Sequence, residues 1–355
     1  MKKFQPNGLP VLIGSLPVDD HDEAVNLVLE HTPQIPLWIQ LPVYKQEGMT
    51  AQFLPGFPGL VTVNDKSFID TAVDDFDNQL LYFYEEYMAV IEGEKELEDS
   101  RFTLTAATAR GFFTLLDRIE TFDDTPAALK GQITGPITFG LGVTDQNGKA
   151  IFYNEQVRDA AVKLLALKAG WQVRMLSKFK LPVIVFLDEP ALAGFGSSAF
   201  IGMSREEVAA CLDEVIGAVH DEGGLAGIHV CANSDWSVIL DSRTDIVSFD
   251  AYSYFDKFIL YPDHIKTFME SGGILAWGIV PTSNPDDIEK ESVDSLAAAW
   301  QDQVRAVAAL GIEPAKILAQ SLITPSCGAG SLSLDLAAKV LMLTKKVSET
   351  IRNQD

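Results

Sequence analysis

The chain has 355 residues, of which 47% are hydrophobic, and its formal net charge is -23. This acidic balance argues against binding to nucleic acid or to an anionic membrane surface, because a phosphate backbone requires a basic surface. The three cysteines are an odd number in a long chain and do not suggest a disulfide framework. The longest apolar run is too short for a membrane span, and the N-terminus lacks the apolar core of a signal peptide, so we expect a cytoplasmic protein.

Short apolar runs rich in β-forming residues alternate with helical segments along the chain. The helical segments lie at 156–179, 205–222, 293–310 and 332–351, and Ser204 begins a capping box. The apolar runs lie at 11–15, 37–41, 129–134, 183–188, 225–231, 246–251, 274–280 and 317–324. This alternation predicts a (β/α)8 TIM barrel, with residues 1–355 as a single catalytic domain. A doubly wound sheet is the alternative, and the absence of a GxGxxG turn after the first run argues against it.

Residues 43–128 interrupt this alternation between the second and third runs. The segment is too long for a simple loop, and it contains helical patterns at about 68–96 and 105–119. We therefore predict an insertion over one rim of the barrel, which is a candidate lid.

Polar residues fall at the carboxyl ends of the apolar runs, where a barrel of this kind places its active site. They are costly inside buried strands unless they find partners, so their gathering at one end indicates a functional site. The residues are Ser15, Gln40, Thr134, Asp188, Glu189, His229, Cys231 and Asp250, and Cys327 lies just beyond the eighth run.

His229 and Cys231 are two residues apart on one strand, so their side chains point to the same face. Alone, the pair is more typical of an ordinary buried strand. Cys327 adds a third soft ligand beside the glycines of "CGAG" (327–330), which allow a close approach of the backbone. Two thiolates with an imidazole favour Zn²⁺. Asp250 is a candidate fourth ligand, with water or substrate as alternatives. Cys211 lies on the apolar face of a helix, and we expect it in the core.

Three protein ligands with an exchangeable fourth position are typical of a catalytic zinc site. Sulfur-rich ligation favours the activation of a substrate thiol, and hydrolysis by zinc hydroxide is the alternative. Asp188 is expected either to bind a substrate ammonium group or to accept backbone amides. Glu189 points the other way and is expected to be structural. A non-enzymatic zinc-binding or scaffold protein is the remaining class.

The ordered motifs resemble those of the cobalamin-independent methionine synthase and uroporphyrinogen decarboxylase superfamily. The motifs are "IGSLP" (13–17), "LKGQITGPITF" (129–139), "LDEPAL" (187–192), "HVC" (229–231), "IVSFDAYS" (246–253) and "PSCG" (325–328). The resemblance implies a TIM barrel and a zinc-dependent transfer of a methyl group to a thiol, with homocysteine giving methionine.

The same resemblance implies roles for individual residues. His229, Cys231 and Cys327 would bind zinc, and Asp250 stands where the family has a glutamate ligand. Asp188 would hold the amino group of homocysteine and, with Asp250, is a candidate catalytic residue. Ile13 and Ser15 would line the pocket for the carboxylate end, and Gln40 and Thr134 are further candidates for substrate binding.

The chain departs from the family where the methyl donor would be handled. "VPTSNP" (280–285) replaces a His-Ser-Pro segment whose histidine would protonate the folate nitrogen, and the tryptophan expected near "GPITFGLG" (135–142) is missing. A methyl-folate leaves poorly unless its nitrogen is protonated, whereas a methyl-corrinoid needs no proton. We therefore expect a methyl-corrinoid donor, with a corrinoid protein as a candidate partner.

Two other enzymes of the superfamily are alternatives. One transfers methyl groups from a corrinoid to another thiol, such as coenzyme M. The other is the decarboxylase, which needs basic residues to grip an acidic porphyrinogen. No arginine precedes Arg101, which argues against the decarboxylase.

Overall fold

The computed structural model describes residues 4–64, 66–195 and 202–353. Its centre is a curled, parallel seven-stranded sheet with the strand order β1-β9-β8-β7-β6-β5-β4. The strands of this sheet are β1 (Leu9–Pro10), β4 (Leu129–Thr134), β5 (Val183–Asp188), β6 (Leu225–Val230), β7 (Ile246–Phe249), β8 (Ile274–Val280) and β9 (Ser321–Pro325). A separate antiparallel pair is formed by β2 (Leu60–Val63) and β3 (Lys66–Ile69).

Helices follow most of the parallel strands and give the mixed α/β architecture. The helices are α1 (His21–His31), α2 (Phe76–Ile91), α3 (Arg110–Ile119), α4 (Pro136–Gly142), α5 (Glu155–Ser177), α6 (Arg205–Asp221), α7 (Trp236–Leu240), α8 (Ala251–Phe258), α9 (Pro262–Glu270), α10 (Pro285–Lys290), α11 (Val293–Ala308), α12 (Pro314–Ala319) and α13 (Leu334–Arg352). The predicted capping box is confirmed, since Ser204 and Glu207 exchange hydrogen bonds at the start of α6. None of these described helices is both long enough and apolar enough to cross a membrane.

The second predicted strand, 37–41, makes isolated bridges instead of a ladder. Leu37 bridges Lys130 of β4, and Gln40 bridges Ser15 on the segment that follows β1. Prolines at 36 and 42 flank the run, and each lacks the N–H that a continuous ladder requires. The segment therefore contacts both edges of the seven-stranded sheet through a few hydrogen bonds.

Two strand boundaries differ from prediction. The first strand is Leu9–Pro10, earlier than the predicted 11–15, because only these residues pair in register with β9. Most of the first half of the predicted run 317–324 belongs to α12, and the strand begins at Ser321. Proline is favoured at the first turn of a helix, and Pro314 starts α12 there.

The strands divide the core by the two-residue alternation of their side chains. One set, including Ile184, Phe186 and Ile246, forms a cluster on the inner face of the curled sheet. The other set, including Leu187 and Val247, packs against the helices in the largest apolar cluster. Along β5, every second side chain after Phe186 also points to the inner face. This places polar side chains at the carboxyl end of the strand, on the inner side of the sheet.

Residues 43–128 contain the β2–β3 hairpin, α2, α3 and three short 3₁₀ turns at Lys45–Glu47, Ala51–Phe53 and Leu97–Asp99. The helix expected at about 68–96 is shorter, since the residues up to Ile69 form β3. The helix expected near 105–119 begins at Arg110. Thr134 at the end of β4 donates a hydrogen bond to the carbonyl oxygen of Met49 (2.5 Å), which ties this segment to the carboxyl ends of the strands.

Candidate metal centre

Three soft ligand residues converge at the carboxyl ends of two strands. The ligand atoms of His229, Cys231 and Cys327 all lie within 4.8 Å of one another. His229 is the penultimate residue of β6, Cys231 follows β6, and Cys327 follows β9. The imidazole is buried and both cysteines are half-buried. Residues that are far apart in sequence thus form one compact group that is open on one side.

Ser248 of β7 orients the imidazole. The Nδ1 atom of His229 lies 2.9 Å from the Oγ of Ser248, which is fully buried. In the tautomer with the proton on Nδ1, the ring donates to this hydroxyl and the Nε2 lone pair is free to bind a metal. The Nε2 atom is buried and has no hydrogen-bond partner. An unsatisfied buried nitrogen beside two thiols fits a metal ligand.

The two thiols influence each other's ionisation. A hydrogen bond from Cys327, aided by His229, lowers the pKa of Cys231, while the same contact and burial raise the pKa of Cys327. Binding of a divalent cation would displace the remaining proton and compensate the negative charge of both thiolates. With one nitrogen and two sulfur donors, the residues present fit zinc better than magnesium or calcium.

Glycines let the Cys327 loop approach the end of the first strand. A Cβ atom at Gly328 or Gly330 would lie 2.4 or 2.8 Å from the Oγ of Ser15, which is closer than real contacts allow. Ser15 holds this loop, since its carbonyl oxygen accepts from the Ala329 N–H (3.0 Å) and its Oγ accepts from the Gly330 N–H (3.3 Å). The close approach predicted from the glycines is present.

A second contact holds the other side of the Cys327 loop. The backbone N–H of Thr282 donates to the Oγ of Ser326 (3.1 Å), and the two hydroxyls lie 2.9 Å apart. Sequence reasoning missed Thr282, Ser326 and Ser248 as supports of the ligands. A polar residue inside the apolar run 246–251 was the sequence signal that could have indicated Ser248.

The cluster forms one wall of a cavity of about 320 Å³. Larger cavities lie elsewhere, including one of about 650 Å³ lined by α2, α5 and α6, but they contain none of the residues predicted to form the site. The small cavity brings together most of the predicted residues: Ile13, Ser15, Gln40, Asp188, His229, Cys231 and Cys327. Its other lining residues are Gly14, Pro42, Met49, Pro190, Gly328, Gly330 and Ser331.

Two predicted site residues lie outside this lining. Thr134 holds Met49, which itself lines the cavity. Asp250 is the N-cap of α8, and its carboxylate accepts from the Ser253 N–H (2.8 Å). Burial raises the pKa of Asp250 to about 6. Among the described residues, the compact ligand group consists of His229, Cys231 and Cys327, and Asp250 is not part of it.

Asp188 places a buried carboxylate in the cavity wall. It is 6% exposed, and its Oδ1 has no hydrogen-bond partner, so this oxygen does not accept a backbone amide. Burial raises the pKa of Asp188, and the nearby charges of His229 and Lys130 oppose that rise. Lys130 is fully buried, with its Nζ 4.5 Å from the Phe186 ring centroid, and burial lowers its pKa to about 8.

Glu189 stabilises the first turn of the neighbouring helix, α4. Its oxygens accept from the N–H groups of Ile137 (2.9 Å) and Thr138 (2.8 Å) and from the Thr138 hydroxyl (2.6 Å). A Cβ atom at Gly135 would lie 2.2 Å from this carboxylate, which explains the glycine before α4. Burial raises the pKa of Glu189 to about 7. These contacts fit the structural role expected from the sequence.

Comparison with known proteins finds similarity in structure alone. No family model and no curated protein match the chain. A B12-independent methionine synthase from Shewanella, in complex with selenomethionine, aligns over 97% of this chain and 98% of its own, with a TM-score of 0.54 and 14% identity. A methyltransferase from Methanosarcina mazei aligns over 95% of this chain and 93% of its own, with a TM-score of 0.52 and 12% identity. The chain therefore shares the fold of these two proteins, as the resemblance to the superfamily implied.

Proposed function

We propose that the chain is a zinc-dependent thiol S-methyltransferase that converts homocysteine to methionine. The observation that carries this proposal is the meeting of His229, Cys231 and Cys327 with the unpartnered Asp188 carboxylate on one cavity. The fold shared with a methionine synthase and a methyltransferase supports it. Residues 1–355 would form one catalytic (β/α)8 barrel, with 37–41 as its second strand and 43–128 as a rim insertion.

Each residue has a task in this reaction. His229, Cys231 and Cys327 would hold zinc, which when bound keeps a substrate thiol in its nucleophilic thiolate form. Asp188 would accept the substrate ammonium group in a charge-assisted hydrogen bond. Ile13, Pro42, Met49 and Pro190 would cover the methylene chain and exclude water. Ser15 and Gln40 line the walls, and Thr134 supports them through Met49. The substrate thiol would take the fourth position near Asp250.

The positions of the histidines indicate which kind of methyl donor the site can use. Of the five in the sequence, all within the described ranges, His229 alone lines the cavity. His21 pairs with Glu47, and His220 and His264 pair with aspartates. No second imidazole is therefore placed to protonate a folate nitrogen. This favours a methyl-corrinoid, whose cobalt keeps the electron pair of the broken bond, carried free or on a corrinoid protein.

The donor is tested by methyl transfer to homocysteine with the zinc-loaded, full-length protein. Methylcobalamin and methyltetrahydrofolate are supplied separately, coenzyme M is offered in parallel as the acceptor, and the methylated thiols are quantified. We expect methionine from methylcobalamin. Turnover with the folate alone would overturn the donor assignment, and methylation of coenzyme M in place of homocysteine would overturn the acceptor assignment.

The metal site is tested by comparing two cysteine variants. Cys327→Ser should lose zinc while keeping its circular dichroism spectrum, because it removes one of three ligands from a folded site. Cys211→Ser is the matched control, since this thiol lies on α6 in the core. Equal zinc content in both variants would refute the site, and unfolding of Cys327→Ser alone would indicate a structural metal.

A further inference from the structure

The outer face of α2 is apolar where a surface helix is normally polar. The helix buries Phe76, Leu80 and Phe83 on its inner face. Of the eleven large apolar side chains that are exposed in the described chain, four lie on this helix of 16 residues: Leu81, Tyr82, Met88 and Ile91. Exposed apolar side chains are ordinary when they are scattered, whereas a concentration of them indicates a contact surface.

Three of these side chains form a stripe that reaches a cavity. Leu81, Met88 and Ile91 lie on one side of α2 together with Tyr84, because steps of three and four residues return to the same helix face. Tyr84 is half-buried, and its hydroxyl donates to Asp159 of α5 (2.7 Å). Tyr84 also lines the cavity of about 650 Å³ between α2, α5 and α6. The stripe and the cavity lining together are called the α2 groove below.

The stripe carries unpaired negative charge. Asp77, Glu85 and Glu92 are exposed, and each lies one helical turn from Leu81 or Met88. None of these three carboxylates forms an ion pair within the described part of the chain. A partner that covers the apolar stripe would therefore bring its own charged groups within reach of these carboxylates.

The cavity end of the α2 groove is also acidic. Its lining, which is described throughout, contains a single cation, Arg158, and this guanidinium already pairs with Glu207 (3.1 Å). Lys163 of α5 is similarly engaged by Asp159 (2.8 Å) and Glu214 (3.1 Å). The remaining carboxylate of the lining belongs to Glu155. The groove thus offers acceptors for further cations and no free cation of its own.

This charge decides between the possible occupants of the groove. A second copy of the chain would place like charges opposite each other, and nucleic acid or an anionic membrane would meet the same repulsion. A protein segment with one apolar face and lysine or arginine beside it matches both the stripe and the carboxylates. From Leu81 to Ile91 the stripe is about 15 Å long, at about 1.5 Å per helical residue, which suits a short amphipathic helix laid in a groove.

We propose that the α2 groove binds a cationic amphipathic helix of a partner protein. The apolar face of that helix packs on Leu81, Met88 and Ile91, and its lysine or arginine side chains lie beside Glu85 and Glu92. No residue of the metal centre lines this groove, so the inference does not depend on the proposed methyl transfer. A contact of this size is expected to be reversible, with a dissociation constant of about 1–100 μM.

Fluorescence anisotropy with labelled synthetic peptides and the full chain tests the proposal. The first probe is a peptide of leucine and lysine, about 18 residues long, with its leucines on one helix face. In the second probe glutamate replaces lysine, and in the third the leucines of the first are spread evenly around the helix. We expect the first probe to bind at least about tenfold more tightly than either of the others.

Variants of the stripe show whether the probe binds in the groove. Leu81→Ser combined with Met88→Ser should weaken binding of the first probe by about tenfold or more, because it removes two exposed apolar contacts. Leu260→Ser is the matched control, since this side chain is 69% exposed between α8 and α9, and it should change the affinity by less than about twofold. The substituted side chains are exposed, so each variant is expected to fold.

A charge pair separates the groove from the acidity of the whole chain. Glu85→Lys should weaken binding of the first probe by about threefold or more, because it reverses a charge beside the stripe. Glu313→Lys makes the same change at an exposed position at the start of α12 and should leave the affinity nearly unaltered.

Three results would overturn the inference. Equal weakening by the stripe variant and by Leu260→Ser would show apolar adhesion without a site. Equal binding of the first and third probes would show attraction by net charge alone. A dimer of the unaltered protein that the stripe variant dissociates, measured by analytical ultracentrifugation, would assign the α2 groove to a second copy of the chain.

Discussion

The hydroxyl of Ser248 should control how tightly His229 binds a metal. Ser248 is fully buried on β7, and its Oγ lies 2.9 Å from the Nδ1 of His229. Ser248→Ala removes this partner without altering any of the three ligand residues. The imidazole then loses the one contact that fixes its ring and that, with the proton on Nδ1, leaves the Nε2 lone pair free.

The size of the effect follows from the burial of this contact. A buried Nδ1 left without a partner costs about 1–3 kcal/mol. Loss of the partner that orients a metal-bound histidine typically weakens metal binding by about 10–100-fold, which is about 1.4–2.7 kcal/mol. We expect the zinc dissociation constant of Ser248→Ala to rise within this range, while Cys231 and Cys327 remain in place.

A chromophoric chelator in competition with the protein measures the zinc dissociation constant, and urea unfolding measures stability. Ser321→Ala is the matched control. It removes a fully buried hydroxyl that contacts Trp277 Nε1 (2.8 Å) and the Ile317 carbonyl oxygen (2.6 Å), at the opposite end of β9 from the ligands. Equal zinc affinity in the two variants, with similar loss of stability, would refute the role of Ser248.

Two further predictions concern buried charges. Lys168 donates to the Thr103 carbonyl oxygen (3.0 Å), and burial lowers its pKa to about 7 from 10.5. The folded state therefore binds fewer protons than the unfolded state between these values, so stability should rise with pH from about 7 to 10, by up to about 5 kcal/mol. Urea unfolding of Lys168→Met should show a flatter pH profile, and parallel profiles would contradict the reasoning. Asp250→Asn preserves an N-cap acceptor for Ser253, so stability and zinc content should both stay near those of the unaltered protein. A zinc dissociation constant that rises by more than about tenfold would instead identify Asp250 as a ligand.

The parallel strands were largely predictable because they are local patterns of apolar residues. The runs at 129–134, 183–188 and 274–280 match β4, β5 and β8 residue for residue. The run at 37–41 has the same composition, yet it forms only bridges. The flanking prolines at 36 and 42 limit the N–H groups available for a ladder. Which neighbours the remaining groups reach depends on where the other strands lie, and composition does not contain that information.

The candidate site was likewise predictable where its features are local in the sequence. The two-residue spacing of His229 and Cys231 put both on one side of the chain, and the residue types suggested a soft metal. The glycines after Cys327 indicated a close backbone approach, which the contacts with Ser15 show. Asp250 also ends a strand, but its carboxylate caps α8, because a short side chain at that position reaches the first-turn N–H of Ser253.

By itself, then, the sequence determined the alternation of strands and helices, the ends of the strands where polar residues gather, and the donor chemistry of three ligands. The tertiary structure decided that these ligands meet within 4.8 Å, that Ser248 orients the imidazole, and that Ser15 uses the backbone donors of the Cys327 loop. Local patterns depend on neighbours in the chain. The meeting of the ligands, the orientation of the imidazole and the pairing of the loop's hydrogen-bond donors depend on contacts between distant segments. These contacts exist only once the sheet has formed.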